Sequence, residues 1–127
     1  MKLWVDDVMP APDEDYIWVK SVRDAIAVIL QHESNVEFFS DQGYRMEHVG
    51  RLNLALRFAK LVQTHTIELI DTDHDAGEYA QYGGDYIKLL DWLEQTGRNY
   101  PIRIHSMNVV GVANMRAIIQ KNGWKEV

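Results

Sequence analysis

The sequence predicts a single α/β domain built on a mostly parallel sheet, and three observations predict it. A chain of 127 residues, 46% of them hydrophobic, can fill one core and is too short for two. Short β-prone runs alternate with segments of helical periodicity, the pattern of strand–helix–strand units. Groups capable of chemistry recur just past the ends of those runs, where parallel sheets bind their ligands.

The elements follow in order. Lys2 to Val5 is a β-prone run ending in Asp6-Asp7, and Tyr16 to Val19 is a second. The turn-rich stretch Met9 to Asp15 separates them, with Pro10 and Pro12 stiffening an acidic loop. Ser21 opens a helix in which Val22, Ala25, Ile26, Ile29 and Leu30 share one face, with Asp24 three residues after the cap. That helix is expected to reach about Gln31. From Glu33 to about Gly50 the pattern weakens and predicts a loop or short helix. Arg51 to Gln63 is helical again, with an apolar stripe wide enough for contacts on two sides.

Thr66 to Ile70 predicts a strand running into Asp71-Thr72-Asp73-His74-Asp75, followed by a loop containing Gly83-Gly84. Asp85 to about Gln95 predicts a helix with Tyr86, Leu89, Leu90 and Leu93 inward, stopped by Gly97 and Pro101. Ile102 to Ile104 is a further strand, ending in His105-Ser106. Asn108 caps a last helix from Val109 to Asn122, Gly123 ends it, and Trp124 to Val127 can supply a short final strand.

Composition narrows the function classes. Thirteen basic against 19 acidic residues give a net charge of −6, a field that repels a polyphosphate backbone, so bulk nucleic-acid binding is not expected. With no cysteine, disulfides, thiolate metal sites and thiol nucleophiles are excluded. No apolar run approaches the ~20 residues of a membrane span, and the start of the chain reads as no signal peptide. The expectation is a cytoplasmic protein without a membrane partner.

Adjacent aspartates after a strand are ordinarily a solvated turn. Convergence changes that. In a parallel sheet Asp6 and Asp7 meet Asp71, Asp73 and Asp75 at one edge, where like charges about 4 Å apart repel by about 1 kcal/mol even in water. Such a cluster of hard oxygens calls for a cation, Mg²⁺ or Mn²⁺. His74 and His105 lie past two different strands, and two imidazoles can exchange protons with water and a leaving oxygen at neutral pH. The N-terminal turn beginning at Asn108 can hold a phosphate oxygen. His32, His48 and His65 read as surface or packing residues, and Trp4, Trp18, Trp92 and Trp124 as core or sheet-face residues.

Four segments occur in order: Leu3-Trp4-Val5-Asp6-Asp7 with Pro10-Ala11-Pro12, Trp18-Val19-Lys20-Ser21, Asp73-His74-Asp75-Ala76-Gly77, and His105-Ser106-Met107-Asn108. Together they resemble the cyclic-phosphate processing receiver domain family, a divergent branch of the response-regulator receivers. The resemblance implies a flavodoxin-like three-layer α/β/α sandwich with a five-stranded, mostly parallel sheet in the order 2-1-3-4-5. Residues 1–127 would then be one receiver-like domain with a helical insertion at about 34–62.

By the same resemblance Asp6 and Asp7 match the metal-binding acid pair, Asp73 the phospho-acceptor position, and Ser106 the switch hydroxyl. The invariant receiver lysine has no convincing counterpart, since Lys125 lacks the usual following Pro, and Val109 stands where Pro is expected. Aspartyl phosphotransfer is therefore not the expected activity. The implied function is metal-assisted hydrolysis of a cyclic phosphate or related phosphoester. Asp6, Asp7 and Asp73 would bind Mg²⁺, Ser106 and Asn108 the substrate, and His74, His105 and Asp73 would serve catalysis. The competing expectation is a noncatalytic pseudo-receiver that binds an anion or a protein, with a homodimer through the 51–63 helix.

Overall fold

The computed structural model describes residues 1–41 and 67–127, with side chains for 1–33 and 67–127. Among these residues the strands are β1 (Lys2–Val5), β2 (Tyr16–Val19), β3 (Leu69–Thr72) and β4 (Ile102–Ile104). The helices are α1 (Val22–Asp41), α2 (Ile87–Gln95) and α3 (Val109–Asn122), with a 3-10 turn over Gly77–Tyr82. All strands are parallel, in the order β2-β1-β3-β4. This is a receiver-like α/β arrangement and matches the first four positions of the expected 2-1-3-4-5 order.

A fifth strand does not form among the described residues. Trp124–Val127 instead makes one parallel bridge from Glu126 to Ile102, through Ile102 N–H to the Lys125 carbonyl and Val127 N–H to the Ile102 carbonyl. The described helices also form one layer rather than two. Leu3, Val5, Val19, Ile70 and Ile102 share a sheet face by register, and α1 (Val22, Ala25, Ile29), α2 (Leu89, Leu90, Leu93) and α3 (Met115, Ile119) close one core over it. A fully buried Leu or Ile in this core contributes about 1.5–3 kcal/mol. The β1–β2 connection, with Pro10 and Pro12, carries no helix that could cover the opposite face.

Three local expectations change. Helix α1 runs to Asp41 instead of stopping near Gln31, because no Gly or Pro interrupts the chain before Gly43. Strand β3 starts later and ends later than Thr66–Ile70, which takes Asp71 and Thr72 into the strand, both buried. The stretch after Ala76, read as loop, winds into the 3-10 turn. The expected helix at 51–63, His48, His65 and most of the 34–62 segment lie outside the described residues.

Local chemistry explains the elements that hold the site. Ser21 Oγ accepts from Asp24 N–H at 3.0 Å, and Asn108 Oδ1 accepts from Gly111 N–H at 2.9 Å, so both helices start on capping side chains. Gly123 ends α3 at φ 67°, a left-handed position that glycine adopts without strain. Beyond the last paired row the ladder continues: Asp6 N–H donates to Val19, Asp73 N–H to Val5, and His105 N–H to Thr72. Lys20, Asp6, Asp73 and His105 therefore stand abreast at the carboxyl edge, one residue past their strands.

Candidate functional site

Asp6, 4% exposed, uses both carboxylate oxygens. Oδ1 accepts from the Val8 and Met9 amides at 2.9 and 2.8 Å, a turn built by the side chain itself. Oδ2 lies 2.9 Å from His105 Nε2. The other nitrogen of that ring, Nδ1, is 2.7 Å from Asp71 Oδ1, and the ring stacks on Trp4 with centroids 3.9 Å apart and planes 6° from parallel.

Burial alone would push the His105 imidazole down, but its contacts with Asp71 and Asp6 outweigh that and raise it above its ordinary value of 6.5. Arg103 Nη1 stands 3.8 Å from the second Asp71 oxygen. Asp71, 2% exposed, is thus held inside the sheet by an imidazole and a guanidinium.

Asp7 and Asp73 complete the cluster. One oxygen each from Asp6, Asp7 and Asp73 lies within 4.8 Å of the others. Asp73 Oδ1 accepts from His74 N–H at 2.7 Å. Burial pushes the Asp7 carboxyl above the usual range, and the neighbouring Asp6, Asp73 and Asp75 charges push it further. Gly77, at φ 55°, passes so close to Asp7 Oδ2 that a Cβ there would collide with it.

His74 sits in a different environment. Its Nδ1 donates to Asp75 Oδ1 at 2.8 Å, which leaves Nε2 as the basic nitrogen. The bond to His74 holds the Asp75 carboxyl below its usual range, with help from Asn108, whose Nδ2 is 3.2 and 3.3 Å from the two Asp75 oxygens. The imidazole packs on the first turn of α3, where Gly111 has no side chain and any Cβ would strike the ring.

The expected site residues therefore divide. Asp6, Asp7 and Asp73 come together. His105 joins them through Asp6, and His74 joins through the peptide that follows Asp73. Asn108 supports Asp75 and caps α3. Ser106 Oγ accepts from Asn108 N–H at 3.1 Å and lines a hollow of about 440 Å³ with Ile104, Val109, Val112, Ala113 and Arg116. None of its hydrogen bonds among the described residues reaches a carboxylate.

Asp71 is not in the cluster. The sequence reading put it past the strand, whereas it belongs to β3 and faces His105. A second trio, His74, Asp75 and Asp85, also brings ligand atoms within 4.8 Å, and the sequence marked Asp85 only as the start of a helix. There the acids are already met, by His74 and by Ala76 N–H on Asp85 Oδ1 at 3.0 Å. Around Asp7, by contrast, the charges of Asp6, Asp73 and Asp75 add to burial in pushing the carboxyl up.

The family model for the cyclic-phosphate processing receiver domain matches residues 45–121, well over half of the chain. The matched span contains Asp73, His74, His105, Ser106 and Asn108, while Asp6 and Asp7 precede it. No curated protein and no solved structure matches the chain.

Proposed function

This chain belongs to the cyclic-phosphate processing receiver domain family, and from that premise we propose that it hydrolyses a cyclic phosphate or related phosphoester with a divalent cation bound by Asp6, Asp7 and Asp73. The observation that carries the proposal is the crowding of three carboxylates, one of them driven toward its neutral form by burial and by its acidic neighbours. An all-oxygen, all-anionic donor set fits Mg²⁺ best and Mn²⁺ next. The chemistry such an ion supplies is neutralisation of the phosphate charge and of the charge that builds up during its displacement.

His74 is the better proton carrier of the two imidazoles. With Nδ1–H on Asp75, its Nε2 takes the proton from water as the new P–O bond forms. The ring P–O bond breaks and the departing oxygen takes up a proton, giving a phosphomonoester and a free hydroxyl. His105 has both nitrogens committed, so its part is to hold Asp6, and Asn108 does the same for Asp75. Ser106 is retained as a phosphate contact on the strength of its place after β4.

The test is turnover of a nucleoside 2′,3′-cyclic phosphate followed by ³¹P NMR with Mg²⁺ and with chelator. Opening of the ring that requires the metal and is lost in Asp73→Asn is the expected result. A cyclic phosphate that survives in every condition overturns hydrolysis.

A second reading, a noncatalytic pseudo-receiver that binds a protein or an anion, draws on the exposed Met107, Val109 and Val110 at the start of α3. Under it the cyclic phosphate is bound and released unchanged. No helix among the described residues is long and apolar enough to cross a membrane.

A further inference from the structure

We propose that Lys20 is the side chain that receives the phosphate at this edge, an assignment that rests on the phosphoester reading above. Lys20 occupies the same row as Asp6, Asp73 and His105, because Val19 pairs with Val5, Val5 with Thr72, and Thr72 with Ile104. Adjacent strands are about 4.8 Å apart, so its backbone is one strand from Asp6 and two from Asp73.

Three contacts fix Lys20 to residues at the edge that carries the acid cluster. Its carbonyl accepts from the Tyr86 hydroxyl at 2.7 Å, and that phenol is kept protonated by burial and by Asp7, Asp6, Asp73 and Asp85. Its ammonium lies 4.6 Å from the Trp18 ring centroid, and the Trp18 indole N–H donates to the Asp6 carbonyl at 2.7 Å. It lies 5.8 Å from the Tyr79 ring, in the turn that Gly77 opens against Asp7.

The ammonium rests on two aromatic faces at an edge crowded with acids, and among the described residues it forms no ion pair. Of the other described lysines, Lys2, Lys88 and Lys121 pair with Asp15, Asp91 and Glu94, and Lys125, like Lys20, makes no ion pair but lies on no aromatic face. An aromatic face positions a cation without cancelling its charge. A phosphate approaching Asp6, Asp7 and Asp73 meets three negative groups, and a divalent ion offsets only two of those charges. A compact ammonium held beside the row supplies the remaining attraction as a point charge.

The test titrates inorganic phosphate into the full chain with saturating Mg²⁺, by calorimetry, for wild type, Lys20→Met and Lys20→Arg, with Mg²⁺ binding measured separately. Lys20→Met should weaken phosphate binding by about tenfold or more, Lys20→Arg should stay within about threefold of wild type, and Mg²⁺ binding without phosphate should be unchanged in both. Lys20→Gln takes the place of the methionine variant if that chain does not fold. Phosphate binding equal to wild type in the neutral variant overturns the assignment and leaves the phosphoester reading intact. A wild type that binds Mg²⁺ and no phosphate overturns that reading, and the role of Lys20 with it.

Discussion

His74 and His105 follow neighbouring strands of the sheet, β3 and β4, and live by opposite rules. His105 follows β4, is clamped by carboxylates at both ring nitrogens and lies flat on Trp4. His74 follows Asp73, spends one nitrogen on an exposed aspartate and keeps the other. An imidazole held from both sides stabilises what it touches, whereas one held from a single side can take up and release a proton. Two histidines equivalent in the sequence thus differ in their contacts, and on the proposed function one positions Asp6 while the other carries the proton.

The largest effect should come from cutting the clamp. His105→Ala leaves Asp6 and Asp71 buried without their shared partner and should cost about 2–4 kcal/mol in denaturant unfolding. His74→Ala should lower turnover about 100-fold with only a small change in stability. If the two variants exchange phenotypes, the division of roles is wrong.

A pH series sharpens the contrast. The folded imidazole of His105 is raised above its ordinary 6.5, so its stabilisation is complete below that value and fades as pH climbs through the raised one. This loss on the alkaline side should be visible in melting curves of wild type and missing in His105→Gln. The smallest effect is a gain. Asp7→Asn removes a carboxylate that burial and its neighbours disfavour, and should stabilise the metal-free chain by about 1 kcal/mol, a few degrees in Tm. The same change should erase stabilisation by Mg²⁺.

Much of this site was legible in the chain before any fold. Strand-ending acids and histidines announce one edge once the strands are read as parallel, and β1, β2 and β4 have the expected limits. Asp71 was misplaced because an ionised residue inside a strand contradicts local preference, and its justification, His105, arrives from a different strand. Glu33 is a similar case. It takes a bidentate contact from Arg98 and a hydroxyl from Tyr100, which hold its carboxyl low, and nothing near it in sequence signals those partners. Trp4 reads in sequence as a core or sheet-face residue rather than a stacking platform, and its use as a platform for an imidazole needs three dimensions to see. Of the two readings open for His32, surface or packing, the structure gives packing, and burial pushes its imidazole down.

Gly111 deserves its place in this picture for what it lacks. The ring of His74 fills the room that a methyl group would take on α3, so the direction in which that imidazole points is decided by an atom absent from another element. Adding one carbon at position 111 would evict the ring while every proposed ligand and proton carrier stayed chemically intact. A position with no functional group of its own therefore governs where the His74 ring can lie.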